Sequence, residues 1–291
     1  MIDKLEMFIA LAQHSHFGRA AEACGVTQPT LSAAIRQLEE QLGVMLVWRG
    51  SRFQGLTPEG QRVLEWARQI CGDARAMREE MRARKSGLSG HVRLGVVPTA
   101  VSMVRLLTVP FAERHPGVKF TILSRTSAEI LSLLEDHRID AGLSYLEDGP
   151  VGRVVTVPLY EERYVLLVPE GHPLALRGHA DWADVGGEAL AALTPDMQNR
   201  RILNQLLLAA GATPEIALES NSVLALVSQV RAGGCVTILP EGNAEMFAME
   251  GLACLPLAGG GQPLGLIAPE REPYTPVLAA LIDEARRVAA P

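Results

Sequence analysis

Cysteine is scarce in this chain, and it never gathers. Cys24, Cys71, Cys235 and Cys254 stand far apart with no C-x-x-C pair. That excludes a disulfide framework or zinc ribbon and fits reduced thiols in a cytosol. No metal or cofactor is expected. Long hydrophobic runs are missing as well. No apolar stretch could span a bilayer, and no signal peptide precedes the first helical segment, so a cytoplasmic protein without membrane contact is expected. Low-complexity tracts and short-period repeats are absent. So are the common catalytic signatures: G-x-S-x-G, H-E-x-x-H, Walker and G-x-G-x-x-G. Gly259-Gly260-Gly261 runs into Gln262-Pro263, which cannot open a helix under a phosphate. His14, His16, His115 and His172 fall at helix ends or turns. An enzyme is therefore not expected.

A strong basic balance is lacking too. The 291 residues carry a formal net charge of −6. The charge is divided unevenly, however. Residues 1–90 hold 12 Lys/Arg against 10 Asp/Glu, and the remainder holds 15 against 23. The acidic part should stay off DNA, while the near-neutral part can dock through local arginines.

What the chain does have is concentrated in residues 17–38, FGRAAEACGVTQPTLSAAIRQL. Ala20, Ala21 and Ala23 let a second helix lie close to the first. Cys24 sits among them as a core residue. Gly25 breaks the pattern and Val26 plugs the turn. Thr27 is a good N-cap, and Pro29 suits a first helical turn. Leu31, Ile35, Leu38 and Leu42 form one apolar face. The opposite face offers Gln28, Thr30, Ser32 and Arg36, side chains of the kind a helix-turn-helix presents to base edges in the major groove. A small-residue helical hairpin in an ordinary helical domain is the competing reading, and the flanks decide between them.

Before the motif, Leu5, Phe8, Ile9 and Ala12 make an amphipathic helix with Asp3 and Glu6 near its positive end. After it, LVWRGSRFQGL (residues 46–56) suits a short β-wing whose Arg49 and Arg52 meet phosphate or the minor groove. Thr57-Pro58-Glu59 is a helix start. The helix that follows carries Val63, Ala67, Ile70, Ala74, Met77 and Met81 at alternating spacings of four and three, a heptad seam. Its flanks are densely charged, so the seam is expected to pair with a second copy; packing on its own domain is the alternative. The expected division is a winged helix-turn-helix over residues 1–57 and a linker or dimerisation helix over 58–87.

Past a small-residue hinge at 85–90, strands alternate with helices. Strands are expected at 91–97, 118–123, 139–144, 163–168, 189–193, 216–219, 236–239 and 264–268. Helices are expected at 101–115, 126–137, 198–210, 222–232 and 276–289. That grammar predicts mostly parallel sheets with helices on both faces. Two lobes follow: lobe I at about 91–161 and 268–291, lobe II at about 162–267. A ligand would sit between them, at strand ends and helix N-termini. The candidate contacts are Thr99, Ala100, Ser102, Thr126, Ser144, Tyr145, Thr194, Gln198, Asn199, Ser220 and Asn221, with Ser127, Asp196 and Ser222 nearby. Each also reads as an ordinary helix cap or turn residue. Arg125, Arg200 and Arg201 could add positive charge, or be solvated surface arginines.

The residues resemble the LysR-type transcriptional regulators. The pattern is carried by Phe17, Ala20, Ala21, Gln28, Pro29, Leu31, Ser32, Ile35, Leu38, Glu39, Leu42, Gly43, Leu46 and Arg49. The resemblance covers the whole chain. It implies a winged helix-turn-helix, a linker helix paired between two chains, and a two-lobed effector domain like a periplasmic binding protein. It also implies a dimer of dimers on an interrupted inverted repeat of double-stranded DNA, a small-molecule effector, and contact with RNA polymerase. Ala33 and Ala34 depart from the long polar residues of many relatives. Base reading then leans on Gln28, Pro29, Thr30, Ser32 and Arg36, with Ala33 against a thymine methyl. Val47 replaces the usual aromatic at the wing, with Trp48 beside it. SRTSAEILSLLE, IDAGLSYL, LTPDMQNRRIL and LESNS further resemble regulators linked to formate dehydrogenase operons, which implies formate or a similar small organic acid. The α/β half alone would also permit a cytosolic sensor of solute-binding type without direct DNA readout; the first ninety residues argue against it.

Overall fold

A computed structural model describes residues 1–48, 53–146, 154–247, 251–259, 261–270 and 273–289. The chain forms two compact units, Met1–Gly87 and Leu88–Pro291.

The first unit begins with α1 (Ile2–His14), which buries Leu5, Phe8 and Leu11 and ends at Ser15 in the left-handed region. The ring nitrogen Nδ1 of His16 accepts from the amides of Gly18 and Arg19, capping α2 (Phe17–Ala23). Gly25, at φ +66°, makes the turn. The Thr27 hydroxyl accepts from the Thr30 amide and starts α3 (Gln28–Leu42), whose Leu31, Ala34, Ile35 and Leu38 are buried. Leu42 departs from the expected apolar face. It is 41% exposed in the last turn, just before Gly43 ends the helix.

Glu39 then orders the start of the wing. Its Oε1 accepts from the amides of Leu46 (2.8 Å) and Val47 (3.3 Å). Val47 and Leu56 form an antiparallel bridge, and the Trp48 amide donates to the Gly55 carbonyl. Arg49 and Arg52 lie outside the described residues. The Thr57 hydroxyl donates to the Met45 carbonyl and accepts from the Gly60 amide, tying the wing to the first turn of α4 (Pro58–Ser86). Leu64, Ala67 and Cys71 of α4 join the same core as α1 and α3.

The second unit runs β1 (Ser89–Val96), a 3-10 turn (Pro98–Val104), α5 (Arg105–Arg114), β2 (Gly117–Ser124), α6 (Ser127–Glu135), β3 (Ala141–Tyr145), β4 (Val154–Glu162), β5 (Tyr164–Pro169), β6 (Ala189–Leu193), α7 (Gln198–Ala209), β7 (Glu215–Ser220), α8 (Val223–Ala232), β8 (Val236–Pro240), α9 (Glu241–Phe247), β9 (Leu252–Pro256), β10 (Gln262–Pro269) and α10 (Pro276–Ala289). Two further 3-10 segments, Pro173–Arg177 and Trp182–Gly187, lie between β5 and β6.

Two five-stranded sheets result, with orders β2-β1-β3-β10-β4 and β7-β6-β8-β5-β9. They follow one plan. In the first, β1 is parallel to β2 and β3, while β10 is antiparallel to β3 and β4. In the second, β6 is parallel to β7 and β8, while β5 is antiparallel to β8 and β9. The sheets are therefore mixed rather than mostly parallel, because each takes in strands on which the chain crosses between lobes.

Strands of the second lobe feed two cores by simple alternation. Tyr164, Leu166 and Val168 face one side and Leu167 the other; Leu190 and Ala192 face one side and Ala191 and Leu193 the other. The first lobe buries Leu94, Val96, Leu107, Phe111, Ile130, Leu143, Leu266 and Leu281 in one cluster.

The strands β4 and β9 and the helix α9 were not expected from the sequence, and two boundaries differ by more than three residues. The segment expected as a helix at 101–115 starts as the 3-10 turn at Pro98, and α5 begins only at Arg105. The return to the first lobe comes before Gln262 rather than at 268, because all of β10 pairs with β3 and β4.

Candidate nucleic-acid interface and ligand cleft

Packing fixes which face of α3 is free. With Leu31, Ala34, Ile35 and Leu38 seated in the core, Gln28, Pro29, Thr30, Ala33 and Arg36 are exposed and Ser32 is half-buried. Ala34 is thereby a packing residue and cannot read bases. Thr30 shares its hydroxyl with Thr27 at 2.9 Å, so part of its hydrogen-bonding capacity serves the cap.

The heptad seam of α4 is divided. Ala67 and Ala74 are buried within the first unit, which corrects the reading of one continuous seam. Ile70, Met77 and Met81 remain 42%, 59% and 48% exposed, seven and four residues apart. Trp66, one turn before Ile70, is also exposed, with the Arg62 guanidinium 5.7 Å from its ring centre.

In the second unit a cavity of about 400 Å³ opens between the lobes. Pro98, Val101, Ser102 and Ser124 form the wall from the first lobe. Asn221, Ser222, Val223, Leu224, Asn243 and Met246 form the other. None of these side chains is charged. Ser222 is the N-cap residue of α8, yet its side chain makes no capping bond. The first amides of a helix have no intrahelical partner and carry partial positive charge. Asn243, 2% exposed, crosses from α9 to the first lobe: its Nδ2 donates to the Thr99 carbonyl at 2.7 Å, and its Oδ1 accepts from Ser102 Oγ at 2.5 Å.

A second cross-lobe tie lies deeper. Asn199 Nδ2 donates to Tyr145 Oη at 3.2 Å, and Tyr145 Oη shares a 2.8 Å bond with Thr99 Oγ1. Beside them is Glu162, the last residue of β4 and 2% exposed. Neither of its carboxylate oxygens finds a hydrogen-bond partner among the described residues. Burial pushes this carboxyl up to about 7, against a weaker opposing pull from the hydroxyls of Tyr145 and Thr99. Burial and then the neighbouring Glu162 hold Tyr145 well above the usual phenol range, and the same two causes raise Tyr160.

Of the expected effector contacts, Ser102 and Asn221 line the cavity. Thr99, Tyr145 and Asn199 are buried in the network beneath it, and Ala100 is wholly buried. Thr126 is spent in a capping box with Glu129 at the start of α6. Ser144 donates to Ser127 in the interior. Ser220 Oγ accepts from the Ser222 amide, and the Thr194 amide donates to the Ser220 carbonyl. Gln198 is half-buried at the start of α7. Arg200 is 7% exposed and committed: it bonds the Leu193 carbonyl, Asn204 and Glu219, tying α7 to β6 and β7. Arg125 and Arg201 are exposed. Ser124, Asn243 and Glu162 were missed by the sequence reading. Alternation gave no signal for Glu162: Val157 and Glu162 are both buried five residues apart, because the pairing of β4 with β10 skips Leu159.

The thiols show no sign of activation. Desolvation raises Cys24, Cys71, Cys235 and Cys254, although by surface area Cys24 is half-buried and Cys254 exposed, and no cysteine occurs between residues 72 and 234. Among the described residues no helix is long and apolar enough to cross a membrane, and no cluster of metal-binding side chains occurs.

Comparison with known proteins gives two family matches. Residues 2–61 match the bacterial regulatory helix-turn-helix protein, lysR family, and residues 85–290 match the LysR substrate binding domain. A hydrogen peroxide-inducible genes activator of Dickeya chrysanthemi is 31% identical over 242 residues, covering 82% of this chain and 79% of the relative. A full-length OxyR cysteine-to-aspartate variant from Pseudomonas aeruginosa superposes with a TM-score of 0.77 at 26% identity, covering 99% of each chain. Full-length CbnR, solved in complex with its target DNA, gives 0.69 at 25% identity, covering 99% of this chain and all of the other.

Proposed function

Because the chain belongs to the LysR family, and is a DNA-binding transcriptional regulator, we propose that a small carboxylate seated between the lobes of its second unit controls how its first unit engages an operator. The observation that carries ligand control is the uncharged cavity at the lobe junction. It falls within the size of ordinary small-molecule sites. One wall is the uncapped N-terminus of α8, which favours an anion. Formate is small for such a space; a carboxylate of several heavy atoms fills it better.

The names of the relatives attach them to hydrogen peroxide. Thiol-based peroxide sensing needs a readily formed thiolate. Here every thiol is raised, and none lines the cavity. A thermal-shift panel tests the reading: formate, carboxylates of three to five carbons, and the corresponding uncharged amides. At about 100 times its dissociation constant a ligand adds about 2.7 kcal/mol. The larger acids should raise the melting temperature and the amides should not, while peroxide should leave operator affinity unchanged. Amides matching the acids would dispose of the anion site, and a peroxide response would restore the redox reading.

On the DNA side, Gln28, Pro29, Thr30, Ser32, Ala33 and Arg36 form the reading surface, with Arg49 and Arg52 on phosphate. Gln28→Ala and Arg36→Ala should each weaken operator binding by about 1–3 kcal/mol, the value of one good base contact. Gel shifts against operator and bulk competitor check this, and unchanged affinity for both variants would remove the two from the interface. The exposed stripe of Ile70, Met77 and Met81 supports pairing of α4 with a second copy, in a dimer of dimers. Closure of the lobes would shift that assembly only through different ligand affinity in its two arrangements.

A further inference from the structure

One side-chain amide fixes the hydrogen-bonding sense of the cavity wall opposite α8. The Thr99 carbonyl can only accept, so the amide face of Asn243 that meets it must be Nδ2. Oδ1 is thereby turned to Ser102, and it can only accept the hydroxyl proton. A serine hydroxyl has one proton and two lone pairs. With the proton spent on Asn243, Ser102 has only lone pairs left for whatever occupies the cavity. Asn243 cannot swing away cheaply. It is buried, and both polar atoms of its amide are already hydrogen-bonded to the first lobe.

We propose that Asn243 is a positioning residue that makes Ser102 an obligate acceptor, so that the cleft selects carboxylates that also carry a hydroxyl or amino donor. The inference rests on the carboxylate reading given above and narrows its ligand class. A plain fatty acid would leave the Ser102 lone pairs unpaired, and a keto acid would set acceptor against acceptor. Leaving a desolvated polar group unpaired costs enough to separate such ligands by about tenfold.

Lactate, isobutyrate and pyruvate are close in size and differ in the group beside the carboxylate: hydroxyl, methyl and carbonyl. Titration calorimetry on the full chain should show lactate binding about tenfold more tightly than either of the others. Ser102→Ala should bring lactate down to the level of isobutyrate. Asn243→Leu frees the Ser102 proton to donate, so the lactate-to-pyruvate ratio should fall towards one or invert. A merely structural role would weaken all three acids together and leave that ratio unchanged. Equal binding of the three acids by the unaltered protein would overturn the selection while leaving the carboxylate site standing. Binding of lactamide as tight as that of lactate would overturn the carboxylate reading, and the selection with it.

Discussion

Glu162→Gln should stabilise the second unit by about 3 kcal/mol at pH 8 and hardly at all at pH 4.5. The carboxyl rises from 4.5 to about 7 in the folded chain. An acid whose pKa is raised on folding holds its proton more tightly in the native state. Its neutral form is accommodated below pH 4.5, and stability is lost as the pH climbs through 7. Two and a half units correspond to about 3 kcal/mol. Glutamine keeps the shape and never ionises, so the variant escapes that loss. Urea midpoints of the full chain at the two pH values, with hydrogen exchange followed at β4 and β5, give the measurement. An advantage for the variant that is the same at both pH values would show that Glu162 does not titrate across this window. The location matters, because this carboxyl lies under the Thr99–Tyr145–Asn199 tie that joins the lobes.

The second large effect concerns the first unit. Gly60→Ala would put a methyl 2.1 Å from the Leu46 carbonyl oxygen and 2.9 Å from its carbon. Backbone cannot yield as a flexible side chain would. The same carbonyl accepts the Thr57 amide at 3.0 Å, and the Thr57 hydroxyl holds the Met45 carbonyl. Relief therefore requires α4 to lift from the wing and break those bonds. We expect a loss of about 3 kcal/mol or more, with operator affinity falling in parallel. Gly171→Ala is the control, since nothing lies within 4 Å of a Cβ there. A Gly60→Ala protein as stable as that control would mean the contact is not rigid.

Local signals in the sequence carried the first unit well. Thr27, Pro29 and the spacing of Leu31, Ile35 and Leu38 define α3 without help from distant residues. The second unit was legible where strands are continuous apolar runs, as at Ala189–Leu193. It was illegible where the reason for an element lies elsewhere in the chain. β4 contains Pro158, which demotes a strand in sequence; the structure tolerates it because β4 is the edge of its sheet. β10 shifts register between Leu264 and Gly265, where a Cβ on Gly265 would stand 2.3 Å from the Val157 carbonyl oxygen. Asn243 sits in a seven-residue helix with no periodicity to announce it. Caps such as Thr126 and Ser220 have the composition of ligand contacts, and only the fold separates those used locally from those turned toward the cavity.

A single residue, Arg163, separates β4 in one lobe from β5 in the other, and its carbonyl is held by the Glu241 amide. So short a joint resists sliding and stretching and leaves twist as the soft motion. Energy gained at the cavity would then be delivered as an angle, and the displacement produced would grow with distance from that pivot.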